Sequence, residues 1–61
     1  MKSVDIVIIS DSKNAELKTM MMHTLTTLYS SEKNIEFYTY IVESSAVDYS
    51  NVHKNIKMIK P

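Results

Sequence analysis

The chain has 61 residues, seven lysines against seven acidic residues, no arginine, no cysteine and no glycine. A chain near this length buries only about 60% of its unfolded surface, so one marginal domain is the most that fits, and disulfides or thiolate zinc sites are excluded. Zero net charge supplies no field to draw the chain to nucleic acid, and the absence of glycine excludes phosphate-cradling glycine loops and dinucleotide fingerprints.

The first element is Val4 to Ile9, Val-Asp-Ile-Val-Ile-Ile. β-branched residues dominate, and a continuous apolar run predicts a strand covered on both faces. The longest apolar run, Ile6 to Ile9, is far short of the about 20 residues of a membrane span or the about 7–15 of a signal-peptide core. A cytoplasmic protein with no membrane span is therefore the expectation. The run stops at Ser10-Asp11-Ser12, three residues whose side-chain oxygens suit a helix N-cap, with Glu16 near the positive end of the helix dipole.

A helix is predicted from about Lys13 to Ser30. Leu17, Met21, Leu25 and Leu28 form one apolar stripe, widened by Met20 and Tyr29. Of the three consecutive methionines, Met20 and Met21 suit an irregular core gap. Met22 is the member expected at the surface, where it is a candidate partner contact. His23, mid-helix, reads as a surface or boundary residue. Asn34 is expected to take the left-handed conformation that ends many helices.

Ile35 to Val42 is the second predicted strand. Alternation puts Ile35, Phe37, Thr39 and Ile41 on one face and Glu36, Tyr38, Tyr40 and Val42 on the other. Tyr38 and Tyr40 are expected to pack against the helix or a partner. Glu43-Ser44-Ser45 ends this strand as a polar cluster ended the first. By itself Glu43 reads as a solvated strand end and Asp11 as a helix cap. Ala46 to His53 reads as a polar loop, and Asn55 to Lys60 as a short third strand with Ile56 and Met58 on one face. Its lysines suit an edge strand guarded against aggregation. His53, Lys54, Lys57 and Lys60 make no single basic face, so no nucleic-acid partner is expected.

Strand, helix, strand in this order is a βαβ unit, whose two strands should be parallel. The predicted fold class is α/β: a three-stranded parallel or mixed sheet covered by one helix, a single domain over residues 1–61. One sheet face is left bare, which predicts a homo-oligomer or a larger protein partner. Ligands in parallel sheets bind beyond the carboxyl ends of the strands, and here both ends carry a carboxylate, Asp11 and Glu43. Paired carboxylates without a metal or histidine are weak acid–base machinery, and hydrogen bonding to a ribose or base is the better use.

The segments VDIVIISDSKNAELKTMMMHTL, FYTYIVESS and NIKMIKP resemble the N-terminal segment of family 2 glycosyltransferases, which have the GT-A fold. The resemblance covers nearly the whole chain. It implies a sugar-nucleotide ligand of UDP-sugar type, with Ser10 and Asp11 lining the nucleobase site, Glu43 on the base or ribose, and Ser44 beside it. The family's metal-binding Asp-x-Asp triplet, its acceptor half and its catalytic base do not occur in these residues. The resemblance therefore implies an N-terminal piece of a larger nucleotide-binding domain, not catalytically competent alone, with no cofactor of its own and a divalent metal only in a longer chain. The alternative is a small interaction or regulatory protein that binds a partner through its sheet face or methionine-rich helix. The abundance of Lys, Asn, Ile and Met points to an AT-rich, phage-like origin, which suits that alternative.

Overall fold

Two parallel ladders organise the chain. The computed structural model describes residues 1–61. Its elements are β1 (Lys2–Ser10), α1 (Ala15–Ser31), β2 (Ile35–Glu43) and β3 (Ile56–Ile59). The sheet order is β1-β2-β3, with β2 central. β1 pairs with β2 from Lys2↔Ile35 to Ser10↔Glu43, and β3 pairs with β2 from Thr39↔Ile56 to Val42↔Ile59. The fold is thus the expected three-stranded α/β unit with one helix, with the third strand beside β2 and parallel to it.

The helix starts later than the cap residues of the sequence suggest. Asn14, not Asp11, is the N-cap: its backbone is extended, and its Oδ1 accepts the Leu17 N–H at 2.9 Å. The reason lies in Ser12, whose N–H and hydroxyl are both committed to Glu43 across the sheet edge. Residues 11–13 are spent on that crossing, and the first free capping side chain is Asn14. At the other end, no residue has positive φ, so Asn34 does not supply a left-handed cap. The chain instead leaves the helix through extended Glu32, whose carboxylate accepts the Asn34 N–H at 3.0 Å.

The stripe of α1 behaves as its spacing requires. Leu25 is fully buried and Leu17, Met21 and Leu28 are half-buried. Met20 does not belong to it, being 58% exposed, and Met22 is exposed beside it. Thr19, Thr24 and Ser30 turn their hydroxyls back onto helix carbonyls four residues earlier. Tyr29 closes the stripe: its hydroxyl bonds Thr39 Oγ1 at 2.6 Å and the Phe37 carbonyl at 3.2 Å. Its ring stacks on His53 at 4.0 Å between centroids and meets Phe37 edge-on at 6.2 Å.

On β2 the predicted alternation holds, with Thr39, Ile41 and Glu43 buried on the helix side. Burying a side chain such as Leu25 or Ile41 is worth about 1.5–3 kcal/mol. The core contains Leu25, Ile41, Tyr49 and Ile56, flanked by Ile8, Met21, Tyr29, Val47, Val52 and Met58. Three of these, Val47, Tyr49 and Val52, come from the segment between β2 and β3. That segment is not the polar loop its composition suggests, since Tyr49 is wholly buried. β1 also departs from expectation. Val4, Ile6 and Ile8 turn toward the helix side, with Val4 at its exposed margin, while Val7 is 67% and Ile9 84% exposed, so one face of the strand is bare.

Candidate ligand-binding edge of the sheet

Because β1 and β2 are parallel and in register at Ser10↔Glu43, both polar clusters reach the same carboxyl edge. The ladder continues one step beyond the strands, with the Ser44 N–H donating to the Ser10 carbonyl at 3.0 Å. Of the four residues that the sequence nominates for nucleotide contact, Ser10, Asp11, Glu43 and Ser44, all lie on this edge. Their surroundings differ.

Glu43 is not a solvated strand end. It is 4% exposed, and its carboxylate is filled by its own chain. Oε2 accepts the Ser12 N–H at 2.7 Å, the Ser45 hydroxyl at 2.7 Å and the Ser45 N–H at 3.1 Å, while Oε1 accepts the Ser12 hydroxyl at 3.0 Å. Burial pushes its pKa up, but the bonds from Ser12 and Ser45 outweigh burial and bring it from 4.5 down to about 2. A carboxylate only accepts, so the single Ser12 hydroxyl proton goes to Glu43. Ser12 Oγ is then left to accept the Tyr49 hydroxyl and, at 3.3 Å, the Ser10 hydroxyl. No buried side-chain polar atom lacks a partner. The result is one buried network that ties the β1–α1 turn, the end of β2 and the β2–β3 segment together.

Asp11 and Ser44 are the free groups. Both are exposed on the edge, and neither side chain is used in the Glu43 network. On one side of them lies a groove of about 360 Å3 between β1 and α1, lined by Ser10, Asp11, Leu17, Met20 and Met21 among others. On the other side, a hollow of about 440 Å3 runs along β3, lined by Ser45, Val47, Asp48, Ser50, Lys57 and Lys60 among others. Asp48 accepts both the N–H and the hydroxyl of Ser50, which lowers its pKa. The arrangement offers hydrogen-bond acceptors, hydroxyls and two lysines around a rigid rim. No three metal-ligating side chains gather anywhere in the structure.

The partner candidates lie elsewhere. Tyr38 and Tyr40 are on the bare sheet face and do not pack against the helix. The Tyr38 hydroxyl donates to Glu36 Oε1 at 2.6 Å, and this bond is the main cause of its raised pKa. Ser12, Tyr49, Asp48 and Ser50 were not evident as site residues from sequence. Tyr49 had one signal: a large aromatic between Val47 and Val52 in an otherwise polar stretch. No protein-family model, curated protein or solved structure matches the chain.

Proposed function

We propose that this chain is a nucleotide-sugar-binding element of the family 2 glycosyltransferase type, binding its ligand at the carboxyl edge of the sheet. The observation that carries the reading is the convergence of two polar strand ends on one braced edge, where parallel sheets bind ligands. In this reading Ser10, Asp11 and Ser44 contact the base and ribose of a UDP-sugar. Glu43 acts one step back. Its oxygens already hold four hydrogen bonds from Ser12 and Ser45, so it sets the shape of the site. The proposal covers binding alone, since the chain contains no Asp-x-Asp triplet to hold a metal-diphosphate. The test is a UDP titration followed by amide NMR shifts. Movement of the Ser10, Asp11 and Ser44 amides is the expected result. Silence of all three at millimolar UDP on a folded sample rejects the site.

A second reading is favoured by a separate observation, the bare apolar face bearing Val7, Ile9, Tyr38, Tyr40, Val42 and Ile59. It makes the chain a small interaction protein that docks a partner there or on Met22. Under that reading Asp11→Ala is neutral for complex formation, whereas Tyr38→Ala or Met22→Ala disrupts it.

A further inference from the structure

The two edges of the sheet are not alike. β3 offers four residues and carries Lys57 with Lys60 just beyond it, the usual guard against strand addition. β1 offers nine residues with no proline, bulge or cover on its outer side. The Lys2 N–H donates to Asn34 and the Ser10 carbonyl accepts from Ser44, so the even-numbered residues of β1 face β2. Successive backbone groups alternate, so the N–H and C=O groups of Ser3, Asp5, Val7 and Ile9 all face the open edge.

We infer that this edge pairs with a second copy of the chain, β1 against β1 in antiparallel sense about a two-fold axis at Ile6. Four features of the strand make it self-complementary in that register. Outward-facing backbone groups meet outward-facing groups, Ser3 with Ile9 and Asp5 with Val7 of the second copy. These pairs exchange about eight hydrogen bonds in all. On the helix side, Val4 meets Ile8 and Ile6 meets Ile6, an apolar centre to the ladder of close non-hydrogen-bonded pairs. The apolar part of the groove beside Ile8, with Leu17, Met20 and Met21, receives Val4 of the second copy and covers the exposed Met20. The strand is also charge-polarised, with Lys2 at its start and exposed Asp11 after its end. Antiparallel pairing sets Lys2 opposite Ser10, next to Asp11 of the second copy, and does so twice. The two Asp5 side chains stand diagonally, about 7–8 Å apart, in exposed positions where water screens them.

The pairing shares Asp11 and the β1–α1 groove with the proposed nucleotide edge but requires no nucleotide, and its test contains none. Light scattering on the full chain should give twice the monomer mass of 7.0 kDa, falling to the monomer on dilution. Val7→Pro removes only an outward N–H and suits an edge strand, so it should give a monomer with unchanged far-ultraviolet circular dichroism. If that variant unfolds, charge reversal decides. Lys2→Glu should weaken the dimer at least tenfold at low salt, and Lys2→Glu with Asp11→Lys should recover most of the loss. A wild-type chain that stays monomeric at every concentration overturns the inference. So does an assembly whose mass survives Val7→Pro in a folded protein, or one indifferent to both charge reversals.

Discussion

Replacing Glu43 by glutamine isolates what its negative charge contributes. In the native protein its pKa is about 2 against an ordinary 4.5. A carboxylate whose folded pKa lies below its unfolded one stabilises the fold above the unfolded pKa and loses that contribution as pH falls through the folded one. The window is therefore from about pH 5 down to about pH 2. At about 1.36 kcal/mol per pH unit the gap sets an upper figure of roughly 3 kcal/mol, and screening at the rim of so small a protein brings it to about 2 kcal/mol. Total stability for a chain of this size is of order 3–9 kcal/mol, so the loss is a large fraction of the whole. Glutamine keeps the volume. Its carbonyl at the Oε2 position still accepts from Ser12 and Ser45, and its amide turns the Ser12 hydroxyl from donor to acceptor. What is lost is the charge assistance, about 1–2 kcal/mol at pH 7. Urea unfolding followed by circular dichroism between pH 7 and pH 2.5 reads both effects. With a slope near 1 kcal/mol/M, the wild-type midpoint should fall by about 2 M across the window. The Glu43→Gln midpoint should start lower and change little, apart from a small residual from Asp48. An equal fall in both proteins would mean that the acid sensitivity resides in other carboxylates and that the network does not hold Glu43 ionised.

Leu25→Ala empties the centre of the core and should cost about 2–4 kcal/mol, enough to leave much of the chain unfolded by circular dichroism at 37 °C. Asn14→Ala removes the only side-chain N-cap and should cost about 1 kcal/mol of urea stability, whereas Asp11→Ala should cost almost nothing, because Asp11 caps no helix. Tyr29→Phe strips the hydroxyl from Thr39 and the Phe37 carbonyl while keeping the stack on His53, for a loss of about 1–2 kcal/mol in the same assay. Ile59→Lys on the bare face should lower binding of a hydrophobic dye while changing stability by less than about 0.5 kcal/mol.

Periodicity carried most of the fold. The alternation of IEFYTYIV placed Thr39 and Ile41 inward, and the spacing of Leu17, Met21, Leu25 and Leu28 found the buried helix stripe, because both follow from which residues can leave water together. The βαβ order made β1 and β2 parallel and brought Ser10 and Glu43 to one edge. What was not legible depended on contacts between residues far apart in the chain. Ser12 and Glu43 are 31 positions apart, and Ser12 and Tyr49 are 37. Nothing local to Glu43 distinguishes a solvated acid from a buried one that its neighbours have saturated. The helix start was misplaced for the same reason: Asp11 is a good cap in isolation, but the crossing of Ser12 to Glu43 decides where the helix begins. The covered-strand pattern of β1 was likewise ambiguous, since an apolar run looks the same whether its second face is covered or bare.

The β2–β3 connection explains how one helix suffices on the covered face. A single stripe of four residues on α1 cannot roof three strands, and β3 lies on the far side of β2 from β1. Val47, Tyr49 and Val52 fill that gap, packing on Leu25, Ile41 and Ile56 without forming a helix of their own. An irregular segment can serve as a roof only if its position is fixed, because ordering each backbone residue costs about 1–2 kcal/mol with few regular hydrogen bonds in return. The fixing comes from the polar network: the Tyr49 hydroxyl ends on Ser12, Ser12 on Glu43, and Glu43 on Ser45 at the root of the same segment. Packing and polar satisfaction therefore share one residue. Tyr49→Phe tests that coupling, since it keeps the ring in the core and removes only the bolt. It should leave the Ser12 hydroxyl bonded to Glu43, lower stability by about 1–2 kcal/mol, and speed amide exchange at Ser45 and Val47 before exchange at Ile41 changes. Uniform acceleration across β2 and the segment would show that the roof is held by packing alone.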